Sequence, residues 1–280
     1  GTGAFPRKGD SLLKFLNHLT LGQYIPAEST VHRLDPRCKI LSVLLLLAGI
    51  FLMKHPAAFI AWGALLVFLS ALSRIPFRVV LQGARPVVIL VIFTAGIHLF
   101  LTKGVPVWEF GPIQVTREGL AMAARMGLRL FFLVLFAGFL TLTTSPMELS
   151  DGLERLFSPF QRIGFPAHEM AMMMTIALRF IPTLFDETDR ILRAQLARGA
   201  DLEHGGLLRR LKAFIPVLVP LFVIVFQRAE DLAQAMEARC YRGGAGRSRM
   251  NPLRWRRADT FAIAWVVAVV AFFILVDARS

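Results

Sequence analysis

The stretch AFIPVLVPLFVIVF, residues 213–226, decides the architecture of this chain. It is apolar throughout, but its surroundings are not. Arg209, Arg210 and Lys212 precede it, and eight arginines against three acidic residues fill 227–257. If this run alone crossed a bilayer, that basic segment would lie outside the cell, against the tendency of Lys and Arg to stay cytoplasmic. A second ambiguous run, MAMMMTIALRFIPTLF at 170–185, allows a seven-span alternative that exports Arg198. With neither run crossing, residues 145–257 form one cytosolic block holding seventeen Lys and Arg. The arm up to Lys39 and the loop with Arg74, Arg78 and Arg85 join them on that side, while 103–118 outside is charge-balanced. Charge therefore keeps both runs inside.

Working outward, five further apolar runs stand at 40–53, 57–72, 86–101, 130–144 and 261–276. Each falls short of the ~20 residues that span ~30 Å of hydrocarbon. Flanking Lys39, Lys54, Arg125 and Arg129 can extend the spans by snorkelling. For Arg125 and Arg129, snorkelling to headgroups is the expectation, with an interface inside the bundle as the alternative. The chain's 280 residues are 55% apolar with a mean hydropathy of +0.58, beyond an ordinary soluble domain. Backbone groups in lipid must pair internally, so the spans are helices.

The expected fold is an all-α integral membrane protein with about five transmembrane helices and a cytosolic helical domain inserted before the last one. Its parts are a cytosolic N-terminal arm (1–36), a four-helix transmembrane region (37–144), a cytosolic helical domain (145–257) and a last transmembrane helix (258–280). The excess of 32 basic over 19 acidic side chains reports membrane orientation. No zinc-type spacing or aromatic-basic signature accompanies it, so nucleic acid is not an expected partner; membrane lipids are. Cys38 and Cys240 both fall on the cytosolic side, where a disulfide is not expected. The first residues lack a signal-peptide pattern.

Within 145–257, Pro and Gly punctuation predicts helices over 166–184, 186–200 (opened by the acidic DETD) and 208–242. The last two end on an echo, Ala-Gln-Leu-Ala-Arg at 194–198 and Ala-Met-Glu-Ala-Arg at 235–239. Alanines three apart leave a smooth helix surface, and each adjacent arginine offers a planar fork of donors. Such an end suits an acidic groove of a second protein, and two copies suggest a partner with two like grooves. Met170, Met172, Met173 and Met174 make an adaptable surface on the first of these helices, or fill a core. HEMAM at 168–172 has Met where a zinc-protease motif needs His, so no metal site is expected. No Gly-rich phosphate loop with its Lys occurs, so any ATP must be used by another chain.

LGQYIPAESTVHRLDPRCK at 21–39, ARG at 197–199 and AMEARCYRGG at 235–244 resemble the transmembrane T component of energy-coupling factor transporters, the modular vitamin and metal importers of prokaryotes. The likeness runs through nearly the whole chain in order. It implies a multi-pass protein of the prokaryotic cell membrane, with N-terminus and coupling domain cytoplasmic. It also implies a non-catalytic subunit with no cofactor of its own, ATP and Mg being held by two ABC-type ATPase partners. By that resemblance Ala197, Arg198 and Gly199 form one ATPase-docking motif, and Ala238, Arg239 and Cys240 the other. Cys240 replaces the family's Gly, which would loosen any close backbone approach. The methionine-bearing helix would face a substrate-binding S component. Rival readings are a dedicated cobalt or nickel version and, from another class, a membrane-embedded lipid-modifying enzyme.

Overall fold

The computed structural model describes residues 24–25, 27–53, 58–110, 113–200, 206–243 and 253–279. Residues 1–23 and 26, most of the expected arm, lie outside them, as do Gly205 and Gly244, two of the glycines that punctuate the predicted helices. Nine helices are found among the described residues: α1 Pro36–Leu52, α2 Ala58–Ser73, α3 Phe77–Gly83, α4 Arg85–Leu101, α5 Arg117–Thr143, α6 Pro146–Phe157, α7 Ala167–Ala197, α8 Leu207–Ala238 and α9 Arg257–Arg279. The five apolar runs fall in α1, α2, α4, α5 and α9. Helices α3 and α6 are unforeseen, as is an antiparallel pair of short strands, β1 Pro106–Phe110 and β2 Ile113–Thr116, joining α4 to α5. The fold is an all-α membrane protein with this small hairpin appended.

Length separates the spans. Arg117–Thr143, Lys212–Ala238 and Arg257–Asp277 are each long and apolar enough to cross a membrane, and α2 with α3 passes as a pair bent by 120°. Helices α1 and α4 have 17 residues each, about 25 Å at 1.5 Å per residue, and fit a ~30 Å core by local thinning or snorkelling. In α8 the unbroken apolar part is only 213–226, because Arg228, Glu230 and Asp231 follow. That part is about 21 Å long, so a crossing would have to draw the flanking charged turns into the bilayer.

The chain forms two compact units, one of Gly22–Pro159 with Met250–Ser280, the other carrying Phe160–Arg249. In the first, α5 is central and packs on α1, α2, α3 and α4. Its core is aromatic. Trp62 of α2 is fully buried and meets Phe136 of α5 and Phe273 of α9 edge-on, with ring centroids 5.6 and 5.5 Å away. Gly49 of α1 makes this approach possible, since a Cβ there would stand 3.0 Å from the Trp62 ring and from Val270. The turn from α2 to α3 is made by Arg74 in the left-handed region, φ 57°, followed by Pro76.

The block ahead of α1 is a polar knot. Asp35 caps α1 by accepting from the Arg37 N–H at 3.0 Å, and Arg37 lies 3.6 Å from the same carboxylate. Buried Asp259 accepts from the Asp35 N–H at 2.8 Å and the Arg256 N–H at 2.6 Å. One carboxylate thus satisfies donors at the N-termini of both α1 and α9, where the helix dipole favours negative charge. Buried Lys39 donates to the carbonyls of His32 (3.0 Å) and Thr143 (3.1 Å), tying this segment to the end of α5. His32 bridges Ser29 Oγ at 2.7 Å and the Ile25 carbonyl at 3.1 Å. Since a carbonyl only accepts, neutral His32 carries its proton on Nε2 and takes one from Ser29. Burial first, then the Lys39 charge, lowers the His32 pKa below its ordinary 6.5.

For Arg129 the structure shows the alternative reading, a contact between helices. The Arg129 Nη2 donates to the Met53 carbonyl at 2.8 Å, and the guanidinium lies 5.8 Å from the Phe51 ring centre. Met53 ends α1. An orphan helix carbonyl at the negative end of the dipole is a fitting partner for a cation.

Candidate functional site

The second unit is built on α7 and α8. The residues expected to make two helices, 166–184 and 186–200, form the single 31-residue α7, with Pro182 inside it. DETD does not open a helix because its acids find partners within one. Asp189 pairs with Arg193 one turn on; Glu187 lies 3.5 Å from Arg190 and 3.9 Å from Arg228 of α8. Carboxylates four residues ahead of arginine suit a helix interior as well as its start.

Helix α8 holds Pro216 and Pro220 in its interior. Pro220 has no N–H to give, so the Pro216 carbonyl four residues back lacks its helical donor. Gln195 Nε2 of α7 supplies one at 3.3 Å. Around this bond Leu192 and Val217 are buried together with Ile191 and Ala213 against them. Further along, Ile176 and Phe180 face Leu232 and Met236 across a cavity of about 220 Å³. Residue numbers fall on α7 as they rise on α8, so the pair is antiparallel. Consequently Arg198 lies about two turns past the start of α8, and Arg239 about two turns past the start of α7. From the level of Gln195 and Pro216 to Arg239 is about 35 Å along the pair.

Both arginine motifs close their helices in the same way. At the end of α7 the Gly199 N–H reaches the Leu196 carbonyl and the Ala200 N–H the Gln195 carbonyl, both at 3.0 Å. At the end of α8 the Cys240 N–H reaches the Glu237 carbonyl at 2.8 Å and the Tyr241 N–H the Met236 carbonyl at 3.0 Å. These are two Schellman caps in register, with the arginine at the last half-helical position and the next residue left-handed. Gly199 has φ 86° and Cys240 φ 56°. A Cβ on Gly199 would meet nothing within 4 Å, so glycine serves the backbone angle there rather than close approach to this chain. Cys240 therefore changes cap strain at the second end, and the cap bonds persist.

Ala197, Arg198, Gly199, Ala238, Arg239 and Cys240 are all exposed, as are Ala194 and Ala235. The four methionines divide. Met170, Met173 and Met174, three and four residues apart, share an exposed face, whereas Met172 is half-buried. On α8, Ile215, Leu218, Val219, Phe222, Val223 and Phe226 form an exposed apolar stripe of the same helical spacing. Sequence reasoning missed Gln195. The signal was present, because Pro220 four residues after Pro216 announces a carbonyl in need of a donor.

A family model described as Cobalt transport protein, CbiQ, matches residues 27–252. The chain is 61% identical over 259 residues to the energy-coupling factor transporter transmembrane protein EcfT of Thermanaerovibrio acidaminovorans, covering 92% of this chain and 96% of that one. The chain belongs to the CbiQ/EcfT family. Proteins of the same name from Clostridium kluyveri and Acidaminococcus fermentans are 48% and 47% identical, each covering at least 93% of this chain and 97% of their own length. Membership makes this chain a transmembrane component of an energy-coupling factor transporter, and both CbiQ/EcfT membership and the apolar helices make it a protein of the prokaryotic membrane.

Proposed function

We propose that the chain couples two ABC-type ATPase subunits to a substrate-binding S component in an importer of vitamins or metal ions. The observation that carries this reading is the pair of matching arginine-tipped caps at opposite ends of one antiparallel helix pair. Two exposed ends of the same shape, about 40 Å apart, suit a partner that presents one groove twice. Ala197, Arg198 and Gly199 would dock in one ATPase and Ala238, Arg239 and Cys240 in the other, on the cytosolic side. ATP and Mg belong to those partners, and their closing would move the grooves. The paired helices, locked by Gln195, Glu187 and the Leu192–Val217 contact, would pass the motion on as a packed body. The Met170, Met173 and Met174 face and the apolar stripe of α8 are the surfaces that suit an S component, because both are exposed and adaptable.

The test is Arg198→Ala combined with Arg239→Ala in the full complex. Losing each arginine from a desolvated groove costs on the order of 2–5 kcal/mol, so ATPase co-purification and uptake should both fall away. Undiminished association and transport by the double variant would overturn the reading. The family description as a cobalt transport protein supports metal cargo as a second reading. Uptake of radioactive cobalt against a panel of vitamins by the reconstituted complex separates the two.

A further inference from the structure

The membrane unit contains a half-open cavity of about 310 Å³ between α1, α2, α5 and α9. Its wall is almost wholly apolar, with Val43 and Leu46 of α1, Phe68 and Leu72 of α2, Phe139 of α5 and Trp265 of α9 among its lining. The α1 residues that line it run from Lys39 to Leu46, so it extends about 10 Å along the helix, a third of the ~30 Å hydrocarbon depth. Phe68 and Trp265 flank it, rings 5.7 Å apart and both exposed.

At its shallow end a polar pocket of about 490 Å³ adjoins it, and Leu72 lines both. Arg33, Arg74 and the Thr30 hydroxyl border this second pocket, with Glu28 3.7 Å from Arg33 at the same rim. One net positive charge remains at the mouth. Arg74 sits at φ 57°, in a cap whose N–H groups reach Ala71 and Ser70. This turn sets the Arg74 side chain at the rim of the polar pocket.

We propose that this composite site holds one anionic glycerophospholipid. An acyl chain fills the apolar cavity, and the phosphate rests between the Arg33 and Arg74 guanidiniums with Thr30 beside it. A phosphate monoanion matches both the charge and the forked donors of arginine. Continuity through Leu72 favours a lipid over a free anion, which would leave the apolar cavity unused. Lipid recognition by basic residues at a membrane boundary follows from the same chemistry.

The experiment is native mass spectrometry and lipid extraction of the full transporter complex, purified in mild detergent and re-equilibrated with a 1:1 mixture of phosphatidylglycerol and phosphatidylcholine. The wild type should retain phosphatidylglycerol in preference to phosphatidylcholine. Arg33→Gln with Arg74→Gln, both at the polar rim, should cut that preference roughly tenfold. Leu72→Trp, which narrows the shared wall, should lower retention of both lipids. Inorganic phosphate at 10 mM should not displace the lipid. An unchanged preference in the Arg double variant, or displacement by phosphate alone, overturns the proposal. So does a photo-crosslinker at Phe68 that captures polypeptide instead of lipid. None of these readouts depends on ATPase docking, so the coupling proposal stands or falls separately.

Discussion

Gly199 and Cys240 occupy the same left-handed position of the same cap, so exchanging their chemistry should move the two ends in opposite directions. Gly199→Ala places a Cβ at φ 86° with nothing within 4 Å to touch it, so the cost is backbone strain of about 1–2 kcal/mol. The stiffer unfolded chain returns about 0.4–1 kcal/mol, leaving roughly 1 kcal/mol net and a cap that opens about fivefold more often. Cys240→Gly removes the strain at φ 56° and should tighten its cap by a similar, somewhat smaller amount. Hydrogen-exchange mass spectrometry on peptides covering 195–200 and 236–241 reads both, because the cap N–H groups lie there. Exchange should quicken at 199–200 in the first variant and slow at 240–241 in the second. Neither change should reach the other end, about 40 Å away. Cys240→Ser keeps an L side chain and should leave exchange as it was. If serine slows exchange as much as glycine does, the thiol and not the backbone angle governs the cap, and the reasoning is wrong.

Further outcomes follow from the two units. Asp259→Asn sets an amide N–H₂ against one of the two backbone donors it now serves, which should cost about 2–4 kcal/mol; a thermal midpoint unchanged in detergent would refute the double-cap role. Gln195→Leu orphans the Pro216 carbonyl again and should cost about 1 kcal/mol, visible as faster exchange where α7 meets α8 and nowhere in the membrane unit. His32 has its pKa lowered by burial and by Lys39, so the unfolded chain takes up its proton first as pH falls. Its contribution is full above the ordinary 6.5 and is lost as pH falls through the lowered folded value. Thermal stability should therefore drop between pH 7.5 and 5.5 more in the wild type than in His32→Gln, and equal drops would exclude His32 as the cause.

Much was legible without coordinates. Apolar runs located α1, α2, α4, α5 and α9, because burial in lipid demands unbroken hydrophobicity and helical pairing. The Ala-x-x-Ala-Arg echo marked both helix ends, because smooth surface, charge and a following turn are written locally. What the chain's one-dimensional order hid were partners distant in sequence. DETD reads as a helix start until Arg193 and Arg228 are seen beside it. Which backbone group Arg129 would meet, the Met53 carbonyl at 2.8 Å, is invisible along the chain. Residues 35 and 259 lie at opposite ends of the chain, and only folding makes one carboxylate the cap of two helices. Local chemistry marked the apolar helices and the two arginine-capped helix ends; the antiparallel pairing that sends the two arginines to opposite ends was decided by packing, since side-chain complementarity across helices depends on which surfaces meet.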